Sequence, residues 1–313
     1  MYRSILVPLD GSPFAEQALP VAVSIATASR AKLTIVRAWD PSNYRFSSEL
    51  TPPFLDAEAH DRMVATEYLD AVGGRLRTTS GVAVSAAVIA GRPVDAIHEC
   101  ATNVAADLVV MTTHGLTGWS RAWLGSVADA VVRTVAIPVL LCRPTETAAP
   151  MPSPLFSRVV IALDGSPAAE EILPHAAELG RMGGASFTLV RVAPRVMMPV
   201  HPYTYAAPAW QIDQAAMEEA VSHAHDYLNA TAESLKARYP GSTIAVDVRL
   251  DERPGMAIVD AVQDHKADLV ALTTHARRGV RLVLGSVADK VLRGTDGAVL
   301  VLRPAGGSGT ADA

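Results

Sequence analysis

The chain has 313 residues, enough for two domains of about 100 to 200 residues each. Half of the residues are hydrophobic and 19% are charged, a composition typical of a folded protein rather than a disordered one. The formal net charge is −5, and no block of Lys and Arg stands out, so a general nucleic-acid-binding face is not expected. Every apolar run is interrupted before about 18 residues, so we expect no membrane-spanning helix.

The first half alternates short β-branched runs with longer helical stretches. This alternation predicts a mainly parallel sheet whose strands are joined by helical crossovers. The apolar runs are nearly continuous, as expected when helices cover both faces of a sheet, so we predict an α/β, doubly wound fold. The expected strands lie near Ser4 to Leu9, Leu33 to Ala38, Ala83 to Ala90, Asp107 to Thr112 and Pro138 to Cys142.

The second half repeats the first. The run from Arg3 to Pro20 reappears from Arg158 to Pro174, and LGSVADAVVR reappears as LGSVADKVLR. Such a repeat indicates two duplicated domains. The proline-rich stretch from Thr145 to Pro154 is the expected linker. We therefore predict domains at 1–150 and 151–305, followed by a flexible Gly/Ser-rich tail at 306–313.

One segment of the second half contains its extra residues. The stretch from Arg195 to Gln211 is aromatic and broken by prolines. A lid over a site and a partner-binding arm are both compatible with it, and an ordinary surface loop is the favoured interpretation.

The two cysteines, Cys100 and Cys142, lie in apolar stretches with no Cys or His at metal-ligand spacing. We interpret both as small buried residues and expect no metal site. A strand pattern begins directly after the first residues, which leaves no room for a signal peptide. A cytoplasmic location is therefore the expectation.

Two features fall at the carboxyl edge of the predicted sheet, where open α/β sheets bind ligands. Asp10 follows the first strand and precedes the turn Gly11-Ser12-Pro13. A structural role, in which Asp10 and Ser12 only hold the turn, is about equally plausible. The second feature is the loop from Thr112 to Ser126, whose glycines allow close backbone approach and whose end opens a helix with free amides suited to an anion.

These motifs, together with the repeat, resemble the universal stress protein (UspA) family in its tandem-domain form. The family's nucleotide-binding members carry Gly, two residues, Gly, nine residues, then Gly-Ser or Gly-Thr. Here Thr112 occupies the place of the first glycine, and Thr273 and Ala276 replace both in the second half. The resemblance implies Rossmann-like, adenine nucleotide alpha hydrolase-like domains. It also implies a nucleotide-dependent sensor or regulator that binds ATP or a related adenine nucleotide, with or without magnesium.

Matching positions carry the family's binding residues onto this chain. Contacts to the base and ribose are implied for Pro8, Leu9, Asp10 and Ala38. Contacts to the ribose and phosphates are implied for the loop and helix start, that is Thr112, His114, Gly115, Gly125, Ser126 and Val127. The implied counterparts in the second half are Ala162, Leu163, Asp164, Val192, His275, Gly285, Ser286 and Val287.

Two other functions remain open from the sequence. One is slow ATP hydrolysis by His114 and Asp10 around a bound metal, and the other is a dimerisation scaffold that binds no nucleotide. No triad-like order and no P-loop lysine is visible, so binding without assigned catalytic residues is the leading interpretation. The resemblance further implies assembly through the last strands, Val139 to Cys142 and Val299 to Leu302, as an intramolecular pseudo-dimer or a homodimer.

Overall fold

The computed structural model of the chain describes residues 2–40, 52–113, 124–144, 155–195, 197–200, 209–274 and 284–304. The elements of the first half are β1 (Ser4–Pro8), α1 (Pro13–Glu16), α2 (Leu19–Ser29), β2 (Lys32–Trp39), α3 (Pro52–Ser80), β3 (Val84–Ala90), α4 (Pro93–Asn103), β4 (Leu108–Thr112), α5 (Ser126–Thr134) and β5 (Val139–Cys142).

The second half follows the same plan, and its described residues also include a hairpin. Its elements are β6 (Arg158–Ala162), α6 (Pro167–Glu170), α7 (Leu173–Gly183), β7 (Ser186–Ala193), β8 (Met197–Val200), β9 (Ala209–Ile212), α8 (Gln214–Arg238), β10 (Ile244–Leu250), α9 (Pro254–Asp264), β11 (Leu269–Thr273), α10 (Ser286–Gly294) and β12 (Ala298–Leu302).

Ten strands form one continuous sheet in the order β10-β7-β6-β11-β12-β5-β4-β1-β2-β3. Within this ten-stranded sheet, all pairings inside each half are parallel, and β1 lies between β2 and β4 as β6 lies between β7 and β11. The predicted α/β fold with a parallel sheet in each half is confirmed. The five strands predicted for the first half each coincide with β1 to β5 to within a residue or two.

Helices cover both faces of the sheet, which explains the uninterrupted apolar strands. In β1, Ile5 and Val7 belong to one core cluster while Leu6 belongs to the cluster on the other face. All three side chains are fully buried. Because successive residues of a strand face opposite sides, a strand covered on both sides needs apolar residues at every position.

The two halves are joined by an antiparallel pair of their last strands. Leu140 of β5 lies opposite Leu300 of β12, and Leu141 lies opposite Val299. Each of these side chains is buried. From the sequence, the last strands could pair within one chain or between two chains. The structure shows the pairing within the chain, where each half covers the apolar edge strand of the other.

The segment from Arg195 to Gln211 differs from the expected surface loop. Its two ends form the antiparallel strands β8 and β9, with Met197 opposite Ile212 and Val200 opposite Ala209. These strands pair only with each other, so Pro199 interrupts no larger sheet. The predicted tail at 306–313 lies outside the described residues. Among the residues described, no helix is both long and apolar enough to cross a membrane.

We predict that the β5–β12 joint contributes strongly to stability. Leu300→Ala removes a fully buried side chain at the joint, and should lower the free energy of unfolding by about 2–5 kcal/mol. Leu250→Ala is the matched control, because Leu250 lies on the edge strand β10 and is 36% exposed. It should cost about 0.5 kcal/mol or less. Equal losses in urea denaturation of the two variants would contradict a stabilising role for the joint.

Candidate functional site

The turn after β1 is held by its own side chains. The Asp10 carboxylate accepts a hydrogen bond from the Ser12 amide at 2.9 Å, and the Ser12 hydroxyl accepts one from the Ala15 amide at 3.1 Å. Gly11 has a φ of +91°, a conformation that L side chains rarely adopt. Asp10 and Ser12 therefore hold the turn, as the structural interpretation predicts. Whether Asp10 can also contact a ligand depends on the residues around the turn.

The N-terminus of α5 lies beside this turn. The Gly125 amide donates to the Thr113 carbonyl at 2.8 Å, and the first hydrogen bond inside the helix runs from the Asp129 amide to the Gly125 carbonyl. The amides of the first turn have no partner inside any α-helix, and glycine has no side chain that could cap them. Gly125 thus leaves the positive end of the helix dipole accessible to an anion.

The turn and the helix start enclose a cavity of about 390 Å³ at the carboxyl edge of the sheet. Its size falls within the range of small-molecule pockets. The predicted residues that line it are Pro8, Leu9, Asp10, Ala38, Thr112, Gly125, Ser126 and Val127. The remaining two predicted residues of this half, His114 and Gly115, lie outside the described residues.

Further residues line the cavity that the sequence did not single out. They are Ala15, Val36, Arg37, Asp40, Pro93, Ile97, Met111, Thr113 and Ala128. Asp40 follows β2 and Pro93 begins the helix after β3, so the rule that ligands bind beyond the carboxyl ends of strands could have found both. Ile97 and Met111 lie in apolar runs that look like any other part of the core.

Thr112 fits the site without backbone strain. It is the last residue of β4, pairs with Cys142 of β5, and has the extended backbone of a strand. Among the described non-glycine residues, only Arg30, Ala105 and Lys266 have a positive φ. Threonine can therefore replace the first motif glycine because it forms the last residue of the strand. Thr273 occupies the equivalent position at the end of β11.

The second half repeats the geometry of the turn and of the helix start. The Asp164 carboxylate accepts from the Ser166 amide at 2.9 Å, and Gly285 precedes α10 as Gly125 precedes α5. The other predicted residues described here lie at the ends of the corresponding strands or begin the corresponding helix, and they are Ala162, Leu163, Val192, Ser286 and Val287. His275 lies outside the described residues. Asp164 is exposed, whereas Asp10 is half-buried.

One packing difference separates the two halves at this edge. The first half has Arg92-Pro93-Val94 at the start of α4, and the second has Arg253-Pro254-Gly255 at the start of α9. A Cβ placed on Gly255 would lie 2.7 Å from the Lys290 Cβ and 3.4 Å from the Val287 Cα. The start of α9 therefore lies directly against α10 at Val287 and Lys290.

Comparison with known proteins agrees with this architecture. A sequence profile described as the universal stress protein family matches residues 1–143 and 155–303. A Thermus aquaticus protein, "Universal stress protein in QAH/OAS sulfhydrylase 3'region", is 35% identical over 143 residues, which cover 46% of this chain and 100% of the relative.

Two solved structures resemble the whole chain. A universal stress protein from Archaeoglobus fulgidus has a TM-score of 0.66 at 17% identity and covers 96% of both chains. A protein of unknown function from Pseudomonas aeruginosa PAO1 also has a TM-score of 0.66, at 18% identity, and covers 97% of this chain and 93% of its own. At these identities, the likeness shows the fold.

The turn beside the cavity gives a testable prediction. Gly11→Ala places a side chain at positive φ, 3.3 Å from the Arg37 guanidinium, and should lower the free energy of unfolding by about 1–2 kcal/mol. Gly74→Ala is the control, because this glycine lies within α3 with nothing within 4 Å of a new Cβ. It should raise stability by up to ~1 kcal/mol. A Gly11→Ala protein as stable as the parent in denaturant titration would contradict the strained turn.

Proposed function

The chain belongs to the universal stress protein family, and from this premise we propose that its first domain binds an adenine nucleotide and acts as a nucleotide-dependent sensor or regulator. ATP is the preferred ligand in this proposal. The observation that carries it is the cavity itself, whose lining combines an apolar slot with Asp10 and with the start of α5. We propose that the two domains meet near residue 151, between the two family matches.

The apolar part of the cavity suits a purine base. Its walls include Pro8, Val36, Ile97 and Met111, and the last three belong to one apolar cluster. A flat aromatic ring gains free energy when such surfaces remove it from water, by roughly 25 cal/mol for each Å² of apolar area buried. The slot therefore supplies affinity, while the polar groups at its two ends set the orientation of the ligand.

The polar ends suit the ribose and the phosphates. In this proposal the Asp10 carboxylate accepts hydrogen bonds from the ribose hydroxyls. The amides of Ser126, Val127 and Ala128 face the phosphates at the start of α5, where the helix dipole alone contributes about 0.3–1 kcal/mol. Several charge-assisted hydrogen bonds together are needed for useful affinity, and the helix start and the Ser126 hydroxyl supply them.

The first domain is the principal site in this proposal. Both domains keep the aspartate turn and the uncapped helix start, so both retain the elements that would hold a ribose and a phosphate. The close contact of Gly255 with α10 leaves less room for a base in the second crevice. We therefore propose one strong nucleotide site for each chain.

A thermal-melt titration tests the proposal. ATP that binds only the folded state should stabilise it by about 4 kcal/mol at ~1,000 times the dissociation constant. The titration is run with and without magnesium, and small molecules released from gently purified protein are identified by mass spectrometry. No shift in either titration, together with no nucleotide in the released material, would refute nucleotide binding.

A charge-removing variant tests the part assigned to Asp10. In Asp10→Asn the amide oxygen still accepts from the Ser12 amide, so the turn is kept while the negative charge is lost. We expect ATP affinity to fall roughly tenfold, because hydrogen bonds to a charged group are the stronger ones. Asp70→Asn is the control, since Asp70 is an exposed carboxylate on α3. If calorimetry gives the same affinity for both variants, Asp10 has no part in binding.

A further inference from the structure

The Arg37 side chain lies between the Asp10 turn and helix α3. A Cβ placed on Gly11 would be 3.3 Å from the Arg37 guanidinium, so the guanidinium lies directly against this glycine. The same guanidinium carbon lies 5.2 Å from the centroid of the Tyr68 ring, which is within the range of a cation–π interaction. Arg37 thus bridges the turn after β1 and the ring on α3.

A second connection joins α3 to the helix that follows the turn. The Tyr68 hydroxyl donates to the Glu16 carboxylate at 3.0 Å, and Arg75 donates to the other oxygen of that carboxylate at 2.6 Å. Burial raises the pKa of the Tyr68 hydroxyl, and the adjacent Glu16 charge raises it further, so this hydroxyl stays protonated as a donor. Helix α3 is therefore linked to Gly11 through Arg37, and it contacts Glu16 of α1 directly.

The second half contains the same glycine–arginine–tyrosine contact. A Cβ on Gly165 would lie 2.8 Å from the Arg191 guanidinium, whose carbon lies 4.9 Å from the centroid of the Tyr227 ring. Arg37 and Arg191 are separated by the same number of residues as Asp10 and Asp164. We call Gly11, Arg37, Tyr68 and Glu16 the first brace, and Gly165, Arg191 and Tyr227 the second brace.

Strand alternation places the side chains of Arg37 and Val36 on opposite faces of the sheet. Successive residues of a strand face opposite sides, so Arg37 extends towards α3 while Val36 faces the core cluster of α4 and α5 on the other side of the sheet. Arg37 lines both the main cavity and a smaller one of about 230 Å³ next to α3. Tyr68 and Glu16 are not among the residues that line the main cavity, so their effect on a ligand has to pass through Arg37 and the turn.

We propose that the first brace is a positioning device that fixes the Asp10 turn for ligand binding, with Tyr68 as its central positioning residue. This inference rests on the proposed nucleotide site and extends it to a helix outside the cavity. Loss of the Tyr68 ring frees the Arg37 guanidinium that lies against Gly11. Because Gly11 is adjacent to Asp10, this change loosens the Asp10 turn. The second brace does the same for the Asp164 turn and has no effect on the first site.

The test compares the same substitution in the two braces of the full-length chain. We expect Tyr68→Leu to weaken ATP binding roughly fivefold and to speed amide hydrogen exchange in the peptide from Leu9 to Gln17. Tyr68→Phe, which keeps the ring beneath Arg37, should recover most of the lost affinity. Tyr227→Leu should leave ATP affinity within about twofold of the parent and speed exchange only around the Asp164 turn.

Hydrogen exchange and ATP affinity together distinguish a failure of the brace from a failure of the nucleotide site. Unchanged exchange from Leu9 to Gln17 in Tyr68→Leu would overturn the brace, whether or not nucleotide binds. Equal losses of affinity in Tyr68→Leu and Tyr227→Leu would also overturn it, because they would report general destabilisation. A parent protein that binds no ATP would refute the proposed function, and the exchange measurement without nucleotide would then decide the brace alone.

Discussion

The position of β1 between β2 and β4 determines where this protein can hold a ligand. The five strands of the first half are parallel, so their carboxyl ends meet at one edge of the sheet. At the boundary between β1 and β4 the chain crosses to opposite faces, and the segments that leave these two strands diverge and open a crevice. The Asp10 turn, the apolar slot and the start of α5 all surround that crevice. The proposed chemistry therefore depends first on strand order and only then on individual side chains.

Duplication adds a second constraint, because each half ends in a short apolar strand. Pairing β5 with β12 in antiparallel fashion covers both strands and produces one ten-stranded sheet. The joint lies in the middle of the sheet, and β1 and β6 lie symmetrically on either side of it. The halves are nevertheless not equivalent at the ligand edge, since Gly255 permits a helix contact that Val94 does not reproduce. One duplicated plan can thus carry different helix packing at its two ligand edges.

The sequence predicts well those features that depend on neighbouring residues. The strands of the first half follow from apolar runs, and the turn at Asp10 follows from its Gly-Ser-Pro, because strand and turn preferences are local. Eight described residues of the cavity were also predicted, through their match to a family motif. Ile97 and Met111 were missed because burial against a ligand and burial in a core need the same residue types.

The brace was missed for a different reason. Arg37, Tyr68 and Glu16 lie on three separate elements, and nothing in the local pattern around any of them indicates the others. The repeat held a usable signal, since Glu16 and Glu170 are separated by the same number of residues as Arg37 and Arg191. The β8–β9 hairpin differs from the expected surface loop because prolines in a segment favour a loop, whereas an isolated hairpin tolerates Pro199.

Photolabelling with 2-azido-ATP tests the location of the nucleotide most directly. The reactive group sits on the base, so it reports which residues surround the slot. The account predicts light-dependent labelling of peptides that carry the slot walls, at Val36 to Asp40 or at Pro93 to Ile97, with loss of the label when unlabelled ATP competes. Labelling confined to other regions, or labelling at these walls that ATP does not displace, would contradict it.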